Sequence, residues 1–171
     1  SHQWRGGSHG RAVPLGTGTI KIMALWLTLH LSLFFMPQPQ TPQDWLDVSQ
    51  ARAHDADSIQ NDSTVSVGAT YMAGYVVECA LKAYLRKANR KFPTSGQKGH
   101  DLGNLWKAAG FTLRELRDQD GHKTYFIEDW STNLRYEVDP PSEYSPERLI
   151  ESAKQLSCWI RQQIKNKRWR R

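Results

Sequence analysis

Across positions 65–88 the chain has almost no polar side. Tyr71, Met72, Gly74, Tyr75, Val76, Val77, Cys79, Ala80 and Leu81 distribute apolar and small residues around the whole circumference of an α-helix. A helix at the surface of a globule shows one apolar stripe, whereas one that is apolar all round is covered on every side. The spacing therefore predicts an all-α domain assembled around this segment. Glu78 and Lys82 interrupt it four residues apart, so they project from one face and can pair along the helix. Charges inside a buried helix are costly unless paired or functional. Two readings follow, an ion pair at a partly exposed helix edge or a polar site in a cleft.

The helices that would cover this segment carry their own start signals and stripes. Thr41-Pro42-Gln43-Asp44 reads as an N-cap with proline at the first helical position, opening a helix to about Gln60 with Trp45, Val48, Ala56 and Ile59 inward. Arg52 and Asp55 fall close to that stripe and are expected to pair. Asn61-Asp62-Ser63 is a turn, with Ser63 or Thr64 capping the central helix. After a basic loop over 92–99, His100-Asp101-Leu102 opens a third helix, with His100 read as a capping residue and Gly110 as the stop. A short helix is expected over 112–117, and a fourth over 123–133 carrying Tyr125, Phe126 and Trp130. Pro140-Pro141 forces a loop. Ser145-Pro146-Glu147 then starts a final helix striped by Leu149, Ala153, Leu156, Trp159, Ile160 and Ile164. No convincing strand pattern or repeat is present, so the prediction is four to five helices.

Length and composition limit the alternatives. A chain of 171 residues that is 39% hydrophobic holds one core and is too short for two ordinary domains. Seven Trp and 11% aromatic content separate it from disordered chains. Cys79 and Cys158 lie in apolar helical patterns, which predicts reduced core residues and a cytoplasmic compartment. No His/Cys spacing fits a zinc site, Gly16-Thr-Gly18 is too little for a phosphate-binding loop, and there is no nucleophile elbow. No metal or cofactor is expected. The net charge of +6 comes partly from Arg161, Lys165, Lys167, Arg168, Arg170 and Arg171. That tail would attract a polyanion, nucleic acid or an acidic membrane surface, although a solvated helix end is the plainer reading.

The first forty residues differ from the rest. Residues 1–19 are rich in Gly, Ser and His, and residues 20–35 turn abruptly apolar. A signal peptide would need a small-residue cleavage site, and a membrane span about 20 uninterrupted apolar residues. Lys21, His30 and the following PQPQTPQ fit neither. The favoured reading is a non-native or poorly ordered extension over 1–40 with the natural start at Met36, followed by the helical domain over 41–164 and a basic tail over 165–171. No membrane association is expected.

The run Tyr71-Met-Ala-Gly-Tyr-Val-Val-Glu-Cys-Ala-Leu-Lys-Ala-Tyr-Leu85, then Gly99-His-Asp-Leu102, then Trp130 with Leu134-Arg-Tyr136, resembles the HEPN family of prokaryotic helical domains over about residues 44–164. The resemblance implies an up-and-down helical bundle that usually dimerises. Many HEPN proteins are metal-independent RNases of toxin–antitoxin and defence systems. In them a His accepts the proton of an RNA 2′-hydroxyl and an Arg stabilises the charge developing on the phosphate. The family spaces that Arg four to six residues before the His. After Arg135 those positions are Pro140, Pro141 and Ser142, so the usual histidine is missing. A literal match, Arg117-Asp-Gln-Asp-Gly-His122, falls in a turn upstream of Trp130, the wrong context for the motif.

Three functions follow. The first is a HEPN-like domain that binds nucleotide or RNA without the usual pair, with a nucleotidyltransferase as a possible partner. The second is a variant metal-independent RNase using His100 or His122 beside Arg135. The third is a structural dimerisation module. Glu78, Lys82 and Tyr75 are the candidate cleft residues, and Lys165, Lys167, Arg168, Arg170 and Arg171 the candidate nucleic-acid tail.

Overall fold

The computed structural model describes residues 38–62, 66–94 and 96–166. The apolar segment and the cleavage question at 20–35, the Ser63 and Thr64 caps, and Lys167, Arg168, Arg170 and Arg171 lie outside the described residues. Among those described there are five α-helices and no strands: α1 (Pro42–Asp62), α2 (Val67–Lys87), α3 (Leu102–Ala109), α4 (His122–Glu128) and α5 (Pro146–Asn166). Three short 3-10 segments, Gln97–His100, Leu113–Glu115 and Thr132–Tyr136, connect them.

α2 is the hub. From Val76 to Leu85 every side chain is buried, Glu78 and Lys82 included, as an apolar surface on every other side of the helix requires. α1 runs antiparallel to it. Ile59 lies by Gly68, the Ser49 hydroxyl donates to the Val76 carbonyl at 2.8 Å, and Trp45 packs with Cys79 and Ala83. α5 is antiparallel to α1 and so parallel to α2. Its residues meet α1 in descending order: Glu147 with Gln60, Lys154 with Asp57 at 2.8 Å, Ser157 with Ser49 at 3.2 Å, and Arg161 with the Leu46 carbonyl. The three long helices meet at Ser49, where small side chains allow close approach and the hydroxyls satisfy one another. Arg52 and Asp55 pair at 3.0 Å as their spacing implies.

Several local expectations are corrected. Ser66 caps α2, accepting from Gly68 N. Asp101, not His100, caps α3, because its carboxylate accepts the Asn104 amide at 2.8 Å and leaves the His100 ring free to turn elsewhere. The 112–117 segment is a single 3-10 turn closed by a Thr112–Glu115 capping box. The fourth helix stops at Glu128 and does not reach 133. The amides of Asp129 and Trp130 both close on the Tyr125 carbonyl, and Ser131 then caps the turn carrying Arg135. Cys79 is buried, but Cys158 is exposed, since the α5 stripe passes through Leu156, Ser157 and Ile160 and leaves position 158 outside.

Candidate functional site

Tyr71, Tyr75, Glu78 and Lys82 are spaced by four, three and four residues and so share one face of α2. Glu78 and Lys82 are fully covered, with 3% and 2% of their side chains exposed, and pair at 2.8 Å. The edge-of-helix reading of this pair is therefore replaced by a buried one. Lys82 Nζ also lies 5.0 Å from the centre of the Trp45 ring, a second compensation for its lost hydration. The other Glu78 oxygen, Oε2, is 2.9 Å from His100 Nδ1. A carboxylate can only accept, so this contact places the proton on Nδ1. Nε2, on the opposite edge of a side chain that is 31% exposed, has no hydrogen-bond partner among the described residues.

Aromatic rings continue the face. Tyr75 meets the His100 ring edge-on at 5.8 Å and Trp130 at 5.6 Å, and its hydroxyl is 2.9 Å from that of Tyr71. Burial, then the Tyr71 hydroxyl and the nearby Glu78 charge, hold the Tyr75 phenol above its usual value, with Arg135 pulling the other way. Trp130 can reach this face because position 74 has no side chain: a Cβ on Gly74 would stand 1.8 Å from the indole. Arg135 is exposed, lies over Tyr136 at 4.7 Å, and is held in its charged form by Tyr136 first and then by Tyr71. Beside His100, a cleft of about 210 Å³ runs under Trp130 and is bordered by Asp101, Glu128 and Asp129. Its acidic rim suits hydrogen-bond donors and not phosphate.

A family model, HEPN domain, matches residues 43–163. The chain belongs to the HEPN family. No curated protein and no solved structure matches it. Within this HEPN domain the predicted site residues separate into groups. Glu78, Lys82, Tyr75 and His100 form one connected network, which Tyr71 links to Arg135. His122 stands apart, buried at the start of α4 with its ring against Tyr144 at 5.2 Å. Arg117, its partner in the literal sequence match, is exposed in the preceding turn. Lys165, the described residue of the basic tail, is exposed at the end of α5. Tyr71 is the member that reading the sequence missed, although its four-residue spacing from Tyr75 was a usable signal.

Proposed function

We propose that this HEPN domain binds a nucleotide or RNA on the face formed by Arg135, Tyr71, Tyr75 and His100, without the usual Arg–His nuclease pair. The supporting observation is the His100 ring, fixed through Nδ1 by a carboxylate that Lys82 already neutralises. A buried carboxylate that orients an imidazole gives it one defined outward nitrogen, as ligand recognition requires. Arg135 supplies the exposed guanidinium suited to phosphate, the tyrosine hydroxyls supply further contacts, and the acidic cleft takes ribose or base donors.

One feature favours the second reading, a metal-independent RNase with a variant site. With its proton on Nδ1, His100 offers Nε2 as a base for a 2′-hydroxyl, and Arg135 would carry the phosphate charge. Homodimerisation belongs to the same proposal. Tyr136 and Val138, 73% and 89% exposed, lie one and three residues beyond Arg135, where a second copy would enclose the face.

The test incubates the full chain with labelled single-stranded RNA in EDTA, beside Arg135→Ala and His100→Ala proteins, scoring cleavage and retention. Retention without cleavage, weakened by both substitutions, is the expected result. Cleavage lost with either substitution would establish the nuclease reading. Absence of retention even at low salt would leave only the structural module.

A further inference from the structure

Two stretches distant in sequence bring cations to one end of the bundle. α2 ends on Arg86 and Lys87, the following loop adds Arg90 and Lys91, and the last turn of α5 adds Lys165. The convergence is set by packing: Ile164 lies against Trp45, Cys79 and Ala83, which puts the end of α5 beside α2 one turn before Arg86. Arg86, Lys87, Lys91 and Lys165 are exposed, and none forms an ion pair among the described residues. Arg90 is engaged by the Ala108 carbonyl. Positions 86–100 contain no Asp or Glu. The acids at the start of α1 are occupied, Asp44 with the amides of Gln40 and Thr41, and Asp47 with the Gln43 side chain. The patch also has an aromatic floor, with Arg86 5.9 Å above the Phe92 ring and Phe92 edge-on to Trp45.

The loop does not end there. It folds back along α2 so that His100 meets Glu78, eight residues and about 12 Å of helix before Arg86. Lys98 lies on that return, two residues before His100. The basic end and the His100 face are thus joined by one cationic segment.

We infer that this basic end is a docking surface for single-stranded RNA, which extends the His100–Arg135 face to a strand of several nucleotides. The inference rests on that face binding nucleotide or RNA. A mononucleotide cannot span both regions, whereas a strand offers a phosphate at every step. An anionic bilayer fits less well. Among the described residues, the large apolar side chains that stand most exposed are Tyr136 and Val138, which belong to another segment, so the described part of this end offers none to insert.

The test measures binding of a twelve-nucleotide RNA and of a dinucleotide against salt concentration, using the full chain, a Lys87→Gln/Lys91→Gln/Lys165→Gln protein and Arg135→Ala. All three lysines are exposed, and unchanged far-ultraviolet dichroism would confirm that the triple variant is folded. The triple variant is expected to bind the twelve-mer at least tenfold more weakly, with a log–log salt slope shallower by about 2, and the dinucleotide unchanged. Arg135→Ala is expected to weaken both ligands. An unchanged twelve-mer affinity and slope overturns the docking surface while leaving the His100–Arg135 face intact. Twelve-mer binding that depends on the lysines and not on Arg135 overturns the face and with it the extension. If the triple variant loses retention on phosphatidylserine vesicles but not on RNA, the surface is a membrane contact instead. Lys91→Glu, a single charge reversal in the loop, is expected to weaken twelve-mer binding in the same direction.

Discussion

Lys82 sits on a helix with no open side, so the Glu78 carboxylate and the Trp45 ring are what offset its charge. Lys82→Met keeps the length of the side chain but leaves Glu78 charged and buried beside His100 alone. The expected loss is about 3–5 kcal/mol in urea denaturation, most of it recovered in Glu78→Gln/Lys82→Met, where no charge remains. A loss under about 1 kcal/mol would mean that the pair behaves as a hydrated surface bridge. Gly74 makes an equally local prediction. Alanine normally favours a helix over glycine, but here its methyl would meet the Trp130 indole. Gly74→Ala is expected to lose about 1–3 kcal/mol and to become neutral or stabilising in a Trp130→Ala background. Additive effects in that pair would show that the contact does not decide the residue. The spacing of Glu78 and Lys82 was plain in the sequence, but which side of α2 was covered was not. Spacing shows that two side chains share a face, whereas burial depends on what other segments lay against it.

At the scale of elements, α4 is only seven residues long and depends on its start. Burial by itself would raise the Asp118 carboxyl, but hydrogen bonds from the amides of Lys123 and Thr124 outweigh it and hold the group below its ordinary 3.8. A lowered folded value stabilises above the ordinary carboxyl range and is lost as pH falls through the folded one. Asp118→Ala is therefore expected to cost about 1 kcal/mol near neutrality. The gap from the parent protein should close as acid denaturation is followed below the ordinary value. A gap independent of pH would assign the effect to the turn's shape. The α5 stripe makes a second prediction. Cys79 is buried and its thiol is pushed up to about 12, first by burial and then by the Glu78 charge, while Cys158 faces outward. A disulfide reagent near pH 8 is expected to titrate one thiol in the native protein and two after denaturation. Two fast native thiols would place Cys79 outside the core. Caps and stripes made the five helices legible, whereas the break at Asp129 was not. It follows from Trp130 turning onto Gly74 of a distant helix, and no local propensity encodes that.

For the whole molecule, the exposure of Tyr136 and Val138 next to Arg135 predicts self-association through this edge. Sedimentation equilibrium is expected to find a dimer that Tyr136→Ser/Val138→Ser shifts toward monomer with the helix content unchanged. A parent protein that is monomeric at high concentration would sink the homodimer. What the sequence determined by itself is the helical class, the central place of α2, and membership of the HEPN family, because apolar periodicity, capping residues and a contiguous motif are local properties of the chain. Tertiary structure alone decided that His100 turns to Glu78 and not to its own helix end, that His122 stands apart from Arg135, and that the basic stretch 86–91 and the end of α5 share one end of the bundle. The His100–Glu78 contact joins residues 22 positions apart, and the basic end brings Lys165 beside Arg86 and Lys87. Their contacts depend on how α1, α2 and α5 pack, a geometry that no spacing along the chain specifies.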